Sequence, residues 1–267
     1  MIGKNRHPGR VKFGPVVVTR VIFMLCAGVG IPGFQKLKQA SQRMQCQNNT
    51  KQIGISIENY RDANGHFPTA TMPNDKLPID KRFSWQFAIV PYVESDNIYG
   101  RANRTIAWDD ESNRYSTHFS HRVYTCGWIR EKRFNSLNTS YLGISGVGTD
   151  AATFPLDHPD AGIFGYDRKW KANEVPGQTL MVLETMTGGP WAQGGYSTVR
   201  GIEPTTVFGT TTPFGSPHNS GGSYFSPIVG ANAGFADGSV RFLHHNIDAE
   251  LLKALARVRG DKTGLDF

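Results

Sequence analysis

From Gly33 to Ala70 the chain reads GFQKLKQASQRMQCQNNTKQIGISIENYRDANGHFPTA. Phe34, Leu37, Ser41, Met44, Ile53, Ile57 and Tyr60 recur at near-helical spacing, which predicts one amphipathic helix over 35–64 that stops at Gly65. Such a helix owes most of its stability in water to the packing of its apolar face. The rest of the chain is therefore expected to supply a surface for it to lie on.

Upstream, Phe13 to Phe34 (FGPVVVTRVIFMLCAGVGIPGF) is 22 residues long with Arg20 as its only charge. That length suits a hydrocarbon layer roughly 30 Å thick. Each Val, Ile, Leu or Phe contributes about −0.3 to −0.6 kcal/mol, against about +2.5 to +3.5 for an arginine at the centre. Arg20 lies towards the basic end, where its side chain reaches the headgroups beside Arg10 and Lys12. The expectation is a single-pass, N-in membrane anchor. A basic start, an apolar core and small residues from Ala27 to Gly30 are also the ingredients of a cleaved secretory signal. Both readings export the rest of the chain. Were the helix continuous from Gly14 to Ala63, it would be about 75 Å long.

After Pro68 short apolar runs alternate with Gly, Pro, Asn and Asp. Strands are expected at Val123–Trp128, Ser140–Ile144, Gly162–Tyr166, Thr179–Glu184 and Gly234–Leu243, and Phe83–Val93 reads as a helix whose last turn precedes Pro91. In FADGSVRF, Asp237-Gly238 is expected to form a two-residue type I′ hairpin turn. Residues 185–233 read as a long glycine- and threonine-rich loop with short strands. Asp248 is the expected N-cap of a closing helix carrying Ile247, Leu251, Leu255 and Val258 on one stripe. The fold class is α+β: a long N-terminal helix packed on an antiparallel β-sheet, with a short C-terminal helix. Residues 1–34 form the basic N-terminus and hydrophobic anchor, and 35–267 the body, with its helix at 35–64 and its β-rich part at 65–267.

The chain has 267 residues, 39% hydrophobic and 19% charged, with 30 glycines, which excludes a collagen, a coiled-coil rod, a polytopic membrane protein and a wholly disordered chain. Its net charge of +7 is unevenly spread. Residues 1–57 hold nine bases and no acid, leaving 20 bases against 22 acids in the body. Bases flanking an apolar stretch face anionic lipid, so the expected partner is membrane lipid and not nucleic acid.

Several ordered blocks, RMQCQNNTKQIGISIENYRDANGHFP, SWQFAIVPYVE, WDDESNR, VYTC, SYLGISGVG, GIFGY and FADGSVRFL, resemble the DUF1559 proteins of planctomycete-type bacteria. The resemblance runs from about residue 32 to 260. It implies a prepilin-like, type IV pilin-like plan and a His-X9-Asp-Gly motif. Here that motif falls on His218, Asp237 and Gly238, with 18 residues in place of nine between the histidine and the aspartate. No acid precedes Glu58, and Pro15 stands where a prepilin has its glutamate.

Cys26 lies in the anchor, which leaves Cys46 and Cys126 as either a disulfide or two buried thiols. His218, Asp237, His244 and His245 lack a metal or catalytic spacing, and neither Ser145 nor Gly143–Gly148 fits a nucleophile elbow or a phosphate loop. No catalytic residue, metal or cofactor is expected. Trp191, in the glycine-rich stretch, is the expected exposed ligand contact. The expected function is a non-catalytic, membrane-anchored pilin- or pseudopilin-like structural or interaction protein. Its body would be periplasmic or at the cell surface, and it would form homo- or hetero-oligomers through the N-terminal helix. The alternative is an exported module that binds a small molecule or glycan and is tethered by that helix.

Overall fold

The computed structural model describes residues 14–93, 96–127, 129, 137–203, 214–215 and 230–260; within its first helix the side chains of 15–36, 38 and 39 are outside the description. The chain divides into two compact units, Met1–Ser41 and Gln42–Phe267. Helix α1 spans Pro15–Asn64. It ends where Gly65 turns to φ +76°, a left-handed conformation that favours glycine and closes a helix. Among the described residues no helix is long and apolar enough to cross a membrane. The expected anchor, Phe13–Phe34, lies outside the described side chains.

The second unit is built on a five-stranded sheet in the order β3-β1-β2-β4-β5. The strands are β1 (Tyr141–Val147), β2 (Leu180–Glu184), β3 (Val199–Ile202), β4 (Gly230–Phe235) and β5 (Val240–His244). Three pairings are antiparallel. The fourth, β1 with β3, is parallel, so the sheet is mixed and not purely antiparallel. Among the described residues of the unit, four short α-helices follow α1: α2 (Trp85–Ala88), α3 (Asp96–Arg101), α4 (Arg114–Thr117) and α5 (Ala249–Ala256).

Both faces of the sheet are covered. One apolar cluster joins Ile53 and Ile57 of α1 to Trp85, Phe164, Tyr141 and Val182. The other joins Leu142, Ile144, Leu183, Ala233 and Phe235 to Leu252 and Leu255 of α5. The residues of β1, β2 and β4 are accordingly all buried, and their sequences run apolar without the alternation of a one-sided sheet. Gly143 is required at the centre of β1: a Cβ there would lie 2.9 Å from the Phe164 ring and 3.1 Å from the Trp85 indole nitrogen. That nitrogen donates to the Thr198 carbonyl at 2.9 Å, fixing the ring over the strand.

Three expected elements are corrected. Val123–Thr125 is a turn, with the Tyr124 N–H donating to the His121 carbonyl, so no strand occupies it. Gly162–Tyr166 meets β1, an interior strand, through single bonds from Gly162 and Phe164 N–H to the Ser145 and Ile144 carbonyls, too irregular for a strand. The C-terminal helix stops at Ala256, so Val258, expected on its stripe, lies beyond its end. Its N-cap is as expected: Asp248 Oδ1 accepts from the N–H of Glu250 and Leu251, both at 2.9 Å.

Candidate functional site

Cys46, Thr50, Ile53 and Ile57 follow one another on α1 at spacings of four, three and four, forming the buried stripe that meets the sheet. Cys46 heads this stripe. Cys126 is held opposite it by its own N–H, which donates to Ser140 Oγ at 2.9 Å, just before β1 begins. The two sulfurs are 2.7 Å apart. Glu184, the last residue of β2, completes a group whose ligating atoms lie within 4.8 Å of one another. All three residues are fully buried. Tyr141, paired with Glu184 across the strands, donates its hydroxyl to the Cys46 carbonyl at 3.2 Å. Glu184 Oε2 accepts from Asn232 Nδ2 at 2.8 Å.

The electrostatics of this junction suppress ionisation. The Cys46 thiol is pushed far above its ordinary range by its contact with the Cys126 sulfur, then by burial, then by the charge of Glu184. Burial, foremost, raises Tyr141 in the same way. A thiol that keeps its proton is a poor nucleophile, and Cys46 is in that state.

Two cysteines and a carboxylate are also a zinc donor set. The sulfur spacing does not fit an ion. Two thiolates bound tetrahedrally at about 2.3 Å from zinc stand about 3.8 Å apart, whereas these sulfurs occupy each other's bonding space at 2.7 Å. Both cysteines are thiols in this structure, their sulfurs nearer than two zinc ligands stand and farther apart than the ~2.05 Å of a disulfide.

Of the motif expected at His218, Asp237 and Gly238, His218 lies outside the described residues. The Asp-Gly pair does form the tip of the β4–β5 hairpin, but the loop has three residues, Ala236-Asp237-Gly238, and is not the two-residue I′ turn. Gly238 N–H donates to the Phe235 carbonyl at 2.9 Å, Phe235 N–H to the Ser239 carbonyl at 3.0 Å, and Gly238 alone of this loop's residues must be glycine, at φ +73°. Asp237 Oδ1 accepts from Ser239 N–H at 2.8 Å, the local bond that makes aspartate a turn former. Both residues thus have a structural use here. Lys51 Nζ caps the turn through the Gly238 carbonyl at 2.6 Å.

Trp191 is not the exposed ligand contact that its glycine-rich context suggests. It is 1% exposed, ringed by Phe87, Phe119, His121 and Tyr124, and its indole nitrogen donates to the Phe119 carbonyl at 2.9 Å. The surrounding glycines serve close packing: Gly188 sits against Thr139, and Gly189 against Ser197. His121 lies in the same aromatic nest, its imidazole lowered to about 4 by burial.

Sequence reasoning missed Glu184 and Arg168. Glu184 ends an apolar run, where an acid reads as a strand leaving the core. Arg168 is buried and donates to four backbone carbonyls, those of Ala151, Phe154, Ser145 and Phe164, at 2.6–2.9 Å. Burial lowers its guanidinium to about 10. Nothing in GYDRKW marks this arginine out from a surface one. Ser145 is a buried β1 residue, and His244 and His245 are exposed without a shared partner, so none of them builds a site.

Comparison with curated proteins and with solved structures returns no significant match. Residues 35–250 match a family model described as "Protein of unknown function (DUF1559)", and by that match over most of its length the chain belongs to the DUF1559 family.

Proposed function

We propose that this protein is an exported, membrane-tethered scaffold of pilin-like plan whose work is structural or adhesive and not catalytic. The observation that carries this reading is α1: one helix assigned from Pro15 to Asn64, basic and apolar in its first part, with the Cys46–Ile57 stripe buried against a sheet in its second. The buried, proton-retaining state of Cys46 supports a non-catalytic role, as does His121, which is unprotonated at neutral pH but buried and only weakly basic.

The partners of such a scaffold are membrane lipid and further copies or relatives of this chain, met along the N-terminal helix. The glycan- or solute-binding reading loses its chief support with Trp191 buried. Fractionation of cells expressing the full chain, with mass spectrometry of the native N-terminus, is the test. Expected is membrane-bound protein that retains the apolar stretch, with a body cleavable by protease from outside. Intact-length protein recovered in the soluble fraction after mild lysis would overturn the proposal.

A further inference from the structure

We propose that Cys46 and Cys126 become joined by a disulfide, and that this bond closes before α1 seats on the sheet, so that the completed fold seals it from solvent. The geometry supplies both halves of the inference. The sulfurs meet at 2.7 Å between elements 80 residues apart in the chain, one carried on the buried stripe of α1 and one fixed against the start of β1. Both cysteines are fully buried, so no donor disulfide of protein size reaches either sulfur once the helix is seated. Glu184 sharpens the constraint. Its carboxylate within 4.8 Å opposes a thiolate at either sulfur, and exchange runs through the thiolate. The seated dithiol is therefore both inaccessible and unreactive, and the bond has to form while the residues from Gln42 to Asn64 are still clear of the sheet.

The oxidant class is a dithiol–disulfide oxidoreductase of the exported compartment, so this part rests on the export proposed above. The thiolate of one cysteine attacks the donor's disulfide, forming a mixed disulfide and releasing one donor thiolate. The thiolate of the other cysteine then attacks the protein's sulfur in that mixed disulfide. The Cys46–Cys126 bond forms, the bond to the donor breaks, and the second donor thiolate leaves. Two protein thiols lose two protons and two electrons, and the donor disulfide gains them as a dithiol.

The experiment uses the full chain in detergent and a glutathione redox buffer, so that it does not depend on cellular location. Reduced, unfolded protein is refolded in the buffer, denatured, and alkylated before and after reduction, with mass mapping of each cysteine. Cys26 is expected to take the label at once, and Cys46 and Cys126 only after reduction. Label on all three without reduction overturns the disulfide, as does zinc that holds both thiols until a chelator is added. A second arm times the reaction. Oxidant added after refolding under reducing conditions is expected to close the bridge at least roughly tenfold more slowly than oxidant present throughout, as burial of the thiols requires. Equal rates overturn the order of events. Should the reduced chain not fold, bridged protein is treated with dithiothreitol with and without urea, and reduction at the same rate in both overturns the sealing. A bridge formed in this buffer but missing from protein made in cells would count against export, not against the disulfide.

Discussion

Lys51, on α1, donates through Nζ to the backbone carbonyl of Gly238 at 2.6 Å, joining the N-terminal helix to the hairpin tip across 187 residues of chain. Gly238 is at φ +73°, and a Cβ there would meet Glu58 Oε1 at 2.7 Å. Gly238→Ala is expected to lower stability by about 1–2 kcal/mol, the cost of a left-handed L-residue, since the flexible end of Glu58 can move aside. Lys51→Met, at a part-buried bond with a charged donor, should cost about 1–2 kcal/mol. Urea midpoints at pH 7 check both, and a Gly238→Ala midpoint equal to wild type would refute the assigned turn.

Arg168 ties four carbonyls from three segments of the chain to one buried guanidinium. Arg168→Met keeps much of the side-chain volume and removes all the donors. At least about 3 kcal/mol should be lost, because several buried acceptors then have no donor. Arg168→Lys should recover only part of this, as an ammonium cannot span the same fork. Thermal unfolding of the two variants is the measurement.

The His121 imidazole gives a pH dependence of definite sign. Burial holds it at about 4 in the folded state, against 6.5 for the ordinary group. Between those values the unfolded chain binds the extra proton and the folded one does not. Stability is therefore full above about pH 6.5 and falls as the pH drops towards about 4, by up to about 3 kcal/mol. His121→Phe should flatten that part of the stability–pH curve, and a curve of unchanged shape would show that the imidazole is not buried as described.

Trp191→Ala removes a fully packed indole and should cost about 3–5 kcal/mol. Trp191→Phe should cost less, chiefly the bond to the Phe119 carbonyl. If Trp191→Ala were to abolish binding of a glycan while leaving the melting temperature unchanged, the buried placement would be refuted.

The reading from sequence succeeded where one physical cause acted alone. Helical spacing placed Ile53, Ile57 and Tyr60 against the core, though Leu37 and Met44 from the same expected stripe are exposed; Asp248 gave the cap of α5, and the apolar run ending at Glu184 gave β2. It failed where two segments had to meet. Short strands are expected within 185–233 but not placed by the sequence, and Val199–Ile202 is one because it pairs in parallel with β1. The length of the Asp237-Gly238 loop depends on the register of Gly234 with Val240. Cys46 and Cys126 were legible as a pair, but their third neighbour Glu184 was not, since the register of Tyr141 with Glu184 brings it there. Trp191 misled because glycines that permit close packing look, in sequence, like glycines of an open loop.

The tie between Lys51 and Gly238 also sets a timetable. At synthesis rates of roughly 5–20 residues per second, some ten to forty seconds separate the ribosome's passage over the helix from its arrival at the hairpin. Throughout that interval the oily side of the helix around Ile53 and Ile57 has no finished bed, and a cell making this protein must shield or delay it until the tail has arrived.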